Sequence, residues 1–242
     1  MNEARLTMAK NESALQPSQR MRVAYILTLV GGFLDAYTYF ERGGVFANAQ
    51  TGNIVQFGIA LANGTPDRCL FYLWPICSFV AGTMTALCME DALERRNSRL
   101  VRRSVLLGEM FGLAIVSFIP AQQEWDMLAN GIVSFVAAMQ YQAFSTFRGT
   151  SIATTMSTGN LQKFVSALYD GTMHLNQKSL RMAAVYFSII ATFTFGAFLS
   201  AHACELMGPA ALWPAIIALG IAVATITYLR RKNQADGRDA SV

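Results

Sequence analysis

Thr51-Gly52-Asn53 recurs as Thr158-Gly159-Asn160, and both polar tripeptides interrupt a strongly apolar chain. The offset between the copies is close to half of the 242 residues, and it also aligns several apolar residues on either side. Apolar matches arise easily in such a chain, so the shared tripeptide carries most of the weight. An internal repeat built on a polar, helix-breaking segment is typical of transporter architecture.

Composition indicates a membrane protein. The chain is 53% hydrophobic and 14% charged, with a mean hydropathy of +0.34, whereas a soluble domain carries about 25% charged residues. Four runs of about 20 residues, the length that crosses a bilayer as a helix, contain no charge: 69–89, 127–147, 182–204 and 206–229. Two further runs, 23–40 and 104–123, each contain one carboxylate. We therefore predict an all-α polytopic fold with six transmembrane helices.

The distribution of basic residues predicts the orientation. With a cytoplasmic N-terminus, 17 of the 19 Lys and Arg residues are cytoplasmic, and only Arg42 and Arg68 are external. This positive-inside pattern places both termini in the cytoplasm, and it explains the net charge of +4 without a nucleic-acid partner. Residues 43–66 are also uncharged, but counting them as a crossing would move the arginine cluster at 95–103 outside. We therefore expect re-entrant segments at both tripeptides.

The two halves of the chain are predicted to be inverted repeats. Residues 1–21 and 230–242 form cytoplasmic tails, and the membrane repeats cover 22–120 and 126–229. Each repeat contains a helix, a short helix opening at Thr-Gly-Asn (51–63 and 158–170), and two full helices. Three crossings per half is an odd number, so the second copy enters the membrane from the opposite side.

The tripeptides are the first candidate substrate site. Thr is a good helix N-cap, Gly permits close backbone approach, and Asn both donates and accepts hydrogen bonds. Two short helices whose N-termini meet near the midplane would present unpaired N–H groups to a solute. The predicted substrate-binding residues are Asp35, Thr51, Gly52, Asn53, Gln140, Gln142, Thr158, Gly159 and Asn160. The other interpretation, that these are capped short helices whose Asn side chains hold loop backbone, stays open.

Asp35 and Glu109 are the second candidate feature, because a carboxylate inside a spanning helix costs roughly 2.5–3.5 kcal/mol and usually serves function. Both are candidates for proton or cation coupling. Asp35 could instead tether the nearby Thr-Gly-Asn loop, and Glu109 could reach the cytoplasmic face. The offset that aligns the two tripeptides also aligns Asp35 with Gln142, and Gln140 is close by. An acid in one half and amides in the other suit a cation-coupled neutral or anionic solute.

Other chemistries find little support in the sequence. Cys69, Cys77, Cys88 and Cys204 lack metal-ligand spacing and behave as small hydrophobes in membrane helices. We expect no metal, no cofactor and no enzymatic activity, since the chain has no HExxH, no CxxC and no Ser/His/Asp set. Gly108 and Gly112 form a small-residue pair that permits close helix packing, including packing in a homodimer.

The motifs also resemble a known family. Gly31-Gly32 with Asp35-Ala36, followed by Val45-Phe46, Asn48 and the first tripeptide, is similar to the opening of the YoaK-like family, small bacterial inner-membrane proteins of unknown function. Gln140, Gln142-Ala143 and Thr154-Thr155 with the second tripeptide resemble its second half. The resemblance covers about residues 20–230 and implies a bacterial plasma-membrane location, but no biochemistry.

The function that these observations favour is a secondary transporter or permease for a small solute or ion, working by alternating access between the two repeats. The alternative is a non-transporting membrane scaffold, sensor or partner subunit. An ion channel is the third interpretation. The lipid bilayer and an unidentified small solute or ion are the expected partners.

Overall fold

The computed structural model describes residues 17–94, 98–144 and 157–235, which form eight α-helices and one 3-10 turn. The helices are α1 (Pro17–Glu41), α2 (Gln50–Ala62), α3 (Pro66–Glu94), α4 (Ser98–Ser117), α5 (Gln123–Phe144), α6 (Ser157–Met173), α7 (Gln177–Met207) and α8 (Trp213–Ala235), with the turn at Gly208–Leu212 between the last two. The all-α prediction is confirmed. Most of the predicted tails, and the segment 145–156 before the second tripeptide, lie outside the described residues.

Three stretches of the described chain are long and apolar enough to cross a membrane: Met21–Glu41, Pro66–Ala92 and Gln177–Leu229. The third contains both α7 and α8. Helices α4 and α5 are not among them, because α4 carries Arg102, Arg103 and Glu109 within 20 residues, and α5 carries several amide side chains. These three stretches support a membrane protein. They do not establish the six transmembrane helices predicted from the sequence.

The helices pack in pairs that combine the two halves of the chain. The most extensive contacts are α1 with α7 and α3 with α5. Next come α6 with α7, α4 with α5 and α2 with α3, followed by α1 with α8. Exchanging α1 with α5, α2 with α6, α3 with α7 and α4 with α8 turns each of these pairs into another of the same set. Two further contacts, α4 with α8 and α1 with α5, map onto themselves, whereas the α3–α4 contact has no comparable counterpart between α7 and α8 in the described chain.

Glycines allow the two largest of these helix contacts. A Cβ added at Gly32 of α1 would collide with the Phe193 carbonyl oxygen of α7, and one at Gly196 of α7 would collide with the Leu29 carbonyl oxygen. The α3–α5 contact has the same character, since a Cβ at Gly82 would meet the Phe135 carbonyl oxygen. Close backbone approach at small residues is the usual basis of helix association in a bilayer. Here it joins a helix of one half to a helix of the other.

Candidate functional site

The first tripeptide lies inside the first turn of α2, beyond the position of the helix cap. The N-cap position is Ala49, which makes no side-chain cap hydrogen bond, and α2 begins at Gln50. The Gly52 N–H already donates to the Ala49 carbonyl at 2.9 Å, so Thr51 is a helical residue and its side chain is exposed. The prediction that Thr51 caps the helix is therefore wrong, although the helix itself begins within one residue of its predicted start.

Asn53 is fully buried and binds the loop that precedes its own helix. Its Oδ1 accepts from the Phe46 N–H at 3.0 Å, and its Nδ2 donates to the Phe46 carbonyl and to Gln50 Oε1, both at 2.8 Å. Gly52 leaves room for the Phe46 ring, whose nearest atom would be 2.8 Å from an added Cβ. In this conformation the amide of Asn53 is engaged by the loop, and its predicted role in binding a solute stays a prediction.

Asp35 joins α1 to the same loop. Its Oδ1 accepts from the Asn48 N–H at 2.6 Å and from the Ala49 N–H at 3.4 Å. The Asn48 side chain returns to α1 by donating from Nδ2 to the Gly31 carbonyl at 3.2 Å. Backbone N–H donors stabilise the ionised form of a carboxylate. Asp35 therefore has the geometry of the tether, the second of the two roles open from the sequence.

The second tripeptide repeats the arrangement of the first on α6. Helix α6 begins at Ser157, so Thr158 is its second residue and lies exposed, which rules out the predicted cap at this position too. Gly159 is half-buried and Asn160 is buried, the same sequence of exposure as in α2. The structure places the two tripeptides against different helices, since α2 packs mainly on α3 and α6 on α7.

Glu109 and Gln140 are two predicted site residues whose terminal polar atoms all lack a hydrogen-bond partner in the described part of the chain. Each side chain is 1% exposed, Glu109 on α4 and Gln140 on α5. Neither carboxyl oxygen of Glu109 and neither amide atom of Gln140 has a hydrogen-bond partner among the described residues. The proposal that Glu109 reaches the cytoplasmic face is wrong, because the side of α4 that carries it packs inward against the core.

Gln142, the counterpart of Asp35 in the second half, faces a different helix from Gln140. It is half-buried, and its Nε2 donates to Glu90 Oε2 of α3 at 3.4 Å. The contact lies at the end of α3 near the arginine-rich connection to α4. The Asp35 position and its counterpart therefore both bind a neighbouring segment, one through an acid and the other through an amide.

Arg42 is the residue whose importance the sequence did not reveal. It follows α1, and its side chain is 0% exposed. Its guanidinium donates to the carbonyls of Val116 at 3.2 Å and of Ile119 and Pro120 at 2.8 Å each. These carbonyls lie in the last turn of α4 and in the segment directly after it, where the helix dipole makes a positive charge favourable.

An aromatic and an acidic side chain complete the surroundings of Arg42. The Tyr37 hydroxyl accepts from Nε at 3.2 Å and from Nη2 at 3.0 Å, and it donates to the Pro209 carbonyl at 3.1 Å. Asp126 of α5 forms an ion pair with Nη1 at 3.5 Å. We call Arg42, Tyr37 and Asp126 the Arg42 cluster. It joins the end of α1 to α4, α5 and the 3-10 turn, and the available signal was an arginine that departs from the positive-inside pattern.

Together, these features define a helical protein with apolar segments long enough to cross a membrane. Helices of its two halves pack on each other, and each half carries a matching polar tripeptide. The chain belongs to the family DUF1275, described as a protein of unknown function, whose model matches residues 23–225. The match supports the family resemblance, although it does not extend to the YoaK-like name or a bacterial origin. No curated protein and no solved structure matches the chain.

Proposed function

We propose that this protein is a secondary transporter or permease for a small polar solute or ion, with alternating access between two inverted repeats at 22–120 and 126–229. The observation that carries the proposal is the symmetry of the helix contacts. When each helix of the first half is replaced by its counterpart in the second half, each of the six most extensive contacts becomes another contact of the same set. Inverted repeats of this kind underlie several transporter folds, because two equivalent halves give two conformations of opposite access.

The packing divides the helices into two groups that alternating access could move. In one group, α7 packs on α1 and α6, and α1 packs on α8. In the other, α5 packs on α3 and α4, and α3 packs on α2 and α4. Each group therefore combines three helices of one half with one helix of the other half: α1 joins α6, α7 and α8, and α5 joins α2, α3 and α4. The groups meet along α4–α8, α4 with the 3-10 turn, and α1–α5. We infer that rocking of one group against the other exposes this shared surface to each side of the membrane in turn.

The proposal includes six crossings, with α4 and α5 added to the three apolar stretches. Their 20 and 22 residues correspond to about 30 Å of helix, the thickness of the hydrocarbon core. Helices α2 and α6 are shorter, at 13 and 17 residues, which supports their re-entrant assignment. Reporter fusions after residues 125 and 205 should read as external, and fusions after residue 97 and at the C-terminus as internal. An external C-terminus would contradict the inverted repeat.

The Arg42 cluster lies where the two groups meet, on the side that the charge pattern assigns to the exterior. It connects the end of α1 in one group to α4 and α5 in the other. In the proposed cycle, this structure is therefore closed on that side, and opening requires the Arg42 cluster to separate.

The experiment that tests alternating access is cysteine accessibility at the surface shared by the two groups. In a variant whose four cysteines are replaced by Ser, Ala137→Cys introduces a thiol at a fully buried core position of α5. A membrane-impermeant thiol reagent should label it from either face of oriented vesicles. Ile217→Cys, exposed on the apolar outer side of α8, is the control that should stay unlabelled within the bilayer.

The second candidate function is a non-transporting membrane scaffold, and one observation favours it. The polar groups of the first tripeptide region are engaged within the loop, as expected of a structural motif. Absence of labelling at Ala137→Cys from both faces would contradict transport and favour the scaffold. A solute that raises the thermal stability of the purified protein would favour transport, because a ligand of the folded state stabilises it by mass action.

A further inference from the structure

Two polar side chains at the α4–α5 contact lack hydrogen-bond partners, although both are almost completely buried. Glu109 and Gln140 are each 1% exposed, and all four of their terminal polar atoms are unmatched within the described residues. A buried polar atom without a partner costs about 1–3 kcal/mol. Native proteins retain few such groups, and each calls for an explanation such as a bound water, a bound ion or a functional role.

The two side chains lie on the stripes by which α4 and α5 contact each other. At one end of this contact, Arg102 Nε donates to the Ala143 carbonyl at 3.1 Å. At the other end, an added Cβ at Gly112 would be 2.8 Å from Val136. The helices are therefore antiparallel, and Glu109 and Gln140 fall between these two anchors. Their backbones are about one helical turn, or ~5 Å, apart along the helix axes.

No charged side chain of the described residues contacts the Glu109 carboxyl. On α4 itself, Arg102 is directed to α5 two turns away. The acids of α5 and α3 that flank this region are engaged elsewhere, Asp126 with Arg42 and Glu90 with Gln142. Helix α8 adds no charge to this contact, because it has no acidic or basic residue between Trp213 and Leu229. An isolated carboxylate in such surroundings is very costly, so the neutral acid is the stable form here.

We propose that Glu109 is a proton-binding site, with Gln140 as its hydrogen-bonding neighbour, and that this proton is the ion coupled to transport. The proposal rests on the proposed transporter function. A divalent metal cation is a poorer fit, because the described residues contain no group of three His, Cys, Asp or Glu side chains that could hold one. A proton needs one carboxylate oxygen. The amide oxygen of Gln140, about one helical turn away and without a partner among the described residues, is an acceptor toward which the resulting O–H can turn.

The proton balance follows from the movement of the two helix groups. In the closed conformation, Glu109 carries its proton as a neutral carboxylic acid. When the shared surface opens to water, the O–H bond breaks, the proton passes to water on that side, and the carboxylate is hydrated. Re-closure requires a proton from the side then exposed, because the carboxylate is too costly to bury. A proton taken up on one side is thus released on the other at the next opening. Net proton movement requires that the return passage neutralises the carboxylate with a cationic group of the solute instead, so that one proton is exchanged for one solute.

Infrared difference spectroscopy of the purified protein in nanodiscs, recorded across a pH series, tests the site without knowledge of the solute. The wild-type spectrum should contain the carbonyl band of a buried neutral carboxylic acid at neutral pH, and this band should be lost in Glu109→Gln. Glu124→Gln is the control and should retain the band, because Glu124 is exposed at the start of α5. Equal bands in wild type and Glu109→Gln would overturn the proposal.

Gln140→Leu tests the second half of the site. It should preserve the intensity of the Glu109 band and move its frequency, because the acid loses the amide that its O–H can bind. An unchanged frequency would remove Gln140 from the site.

If Glu109→Gln fails to fold, Glu109→Asp retains the acid on a shorter stem, so its band should persist at a shifted frequency. These infrared measurements need no transport, so they can be combined with the cysteine labelling. A Glu109 band without labelling of Ala137→Cys would identify a buried acid in a non-transporting scaffold. Labelling of Ala137→Cys without a Glu109 band would identify a transporter whose coupling ion binds elsewhere.

Discussion

Asp35 and Glu109 are two buried acids in apolar helices, and they differ in what meets their oxygens. Two backbone N–H groups donate to Asp35, and the loop before α2 is held to α1 by these bonds. Glu109 is even less exposed than Asp35, yet neither of its oxygens has a partner in the described structure. Burial alone therefore does not assign a role. A carboxylate supplied with donors stabilises the fold, whereas one without them is costly and needs a functional reason to persist.

Arg42 extends the comparison to a buried charge with many partners, and its loss should have the largest effect. Arg42→Ala removes three bonds to the end of α4 and leaves Asp126 without its ion-pair partner. We expect a loss of about 3–5 kcal/mol in the free energy of unfolding, as for other broken buried pairs. Denaturant unfolding of the purified protein in detergent measures it.

The matched control for this variant is Arg68→Ala. Arg68 is the other basic residue assigned to the exterior, and it is exposed. Its removal should change stability by less than about 0.5 kcal/mol. Similar losses in the two variants would show that the bonds of the Arg42 cluster contribute nothing specific.

Removal of the Asp35 tether should have the next largest effect. Asp35→Ala leaves the Asn48 and Ala49 N–H groups unpaired in the protein interior, so the free energy of unfolding should fall by about 2–3 kcal/mol. Asp35→Asn keeps an acceptor oxygen of similar shape and should lose less. If both variants unfold like the wild type, Asp35 is not a tether, and its contrast with Glu109 disappears.

The sequence located these acids but not their surroundings. Long apolar runs predicted the helices well, since their boundaries depend mainly on local composition; both short helices begin within one residue of the predicted tripeptide positions. The partners of Asp35 depend on how the loop before α2 folds back onto α1, and those of Arg42 on carbonyls at the far end of α4. The inward orientation of Glu109 depends on the rotation of α4 against α5. None of these is encoded in local pattern.

Within the first tripeptide, Asn53 and Thr51 should differ clearly in their contribution to stability. Asn53→Ala removes three hydrogen bonds to the loop and Gln50, at a cost of about 1–3 kcal/mol. Thr51→Ala alters an exposed side chain without a capping bond and should change stability by less than about 0.5 kcal/mol. Thermal unfolding followed by circular dichroism compares the two variants under identical conditions. A Thr51→Ala loss as large as that of Asn53→Ala would restore a capping role for Thr51.

Glu109→Gln should have the smallest effect on stability of all, and this is the sharpest form of the comparison. The substitution exchanges one unpartnered polar group for another of the same size, so the free energy of unfolding should stay within about 0.5 kcal/mol of the wild type. Glu109→Leu goes further, because it removes the unmatched oxygens and fills their volume with apolar atoms, so stability should rise. Such a gain is expected where a group is kept for function at a cost to the fold. Chemical denaturation of the three proteins at one pH measures both differences. A clear loss of stability in Glu109→Leu would mean that Glu109 has partners in the folded protein, and Glu109 would then join Asp35 as a structural acid.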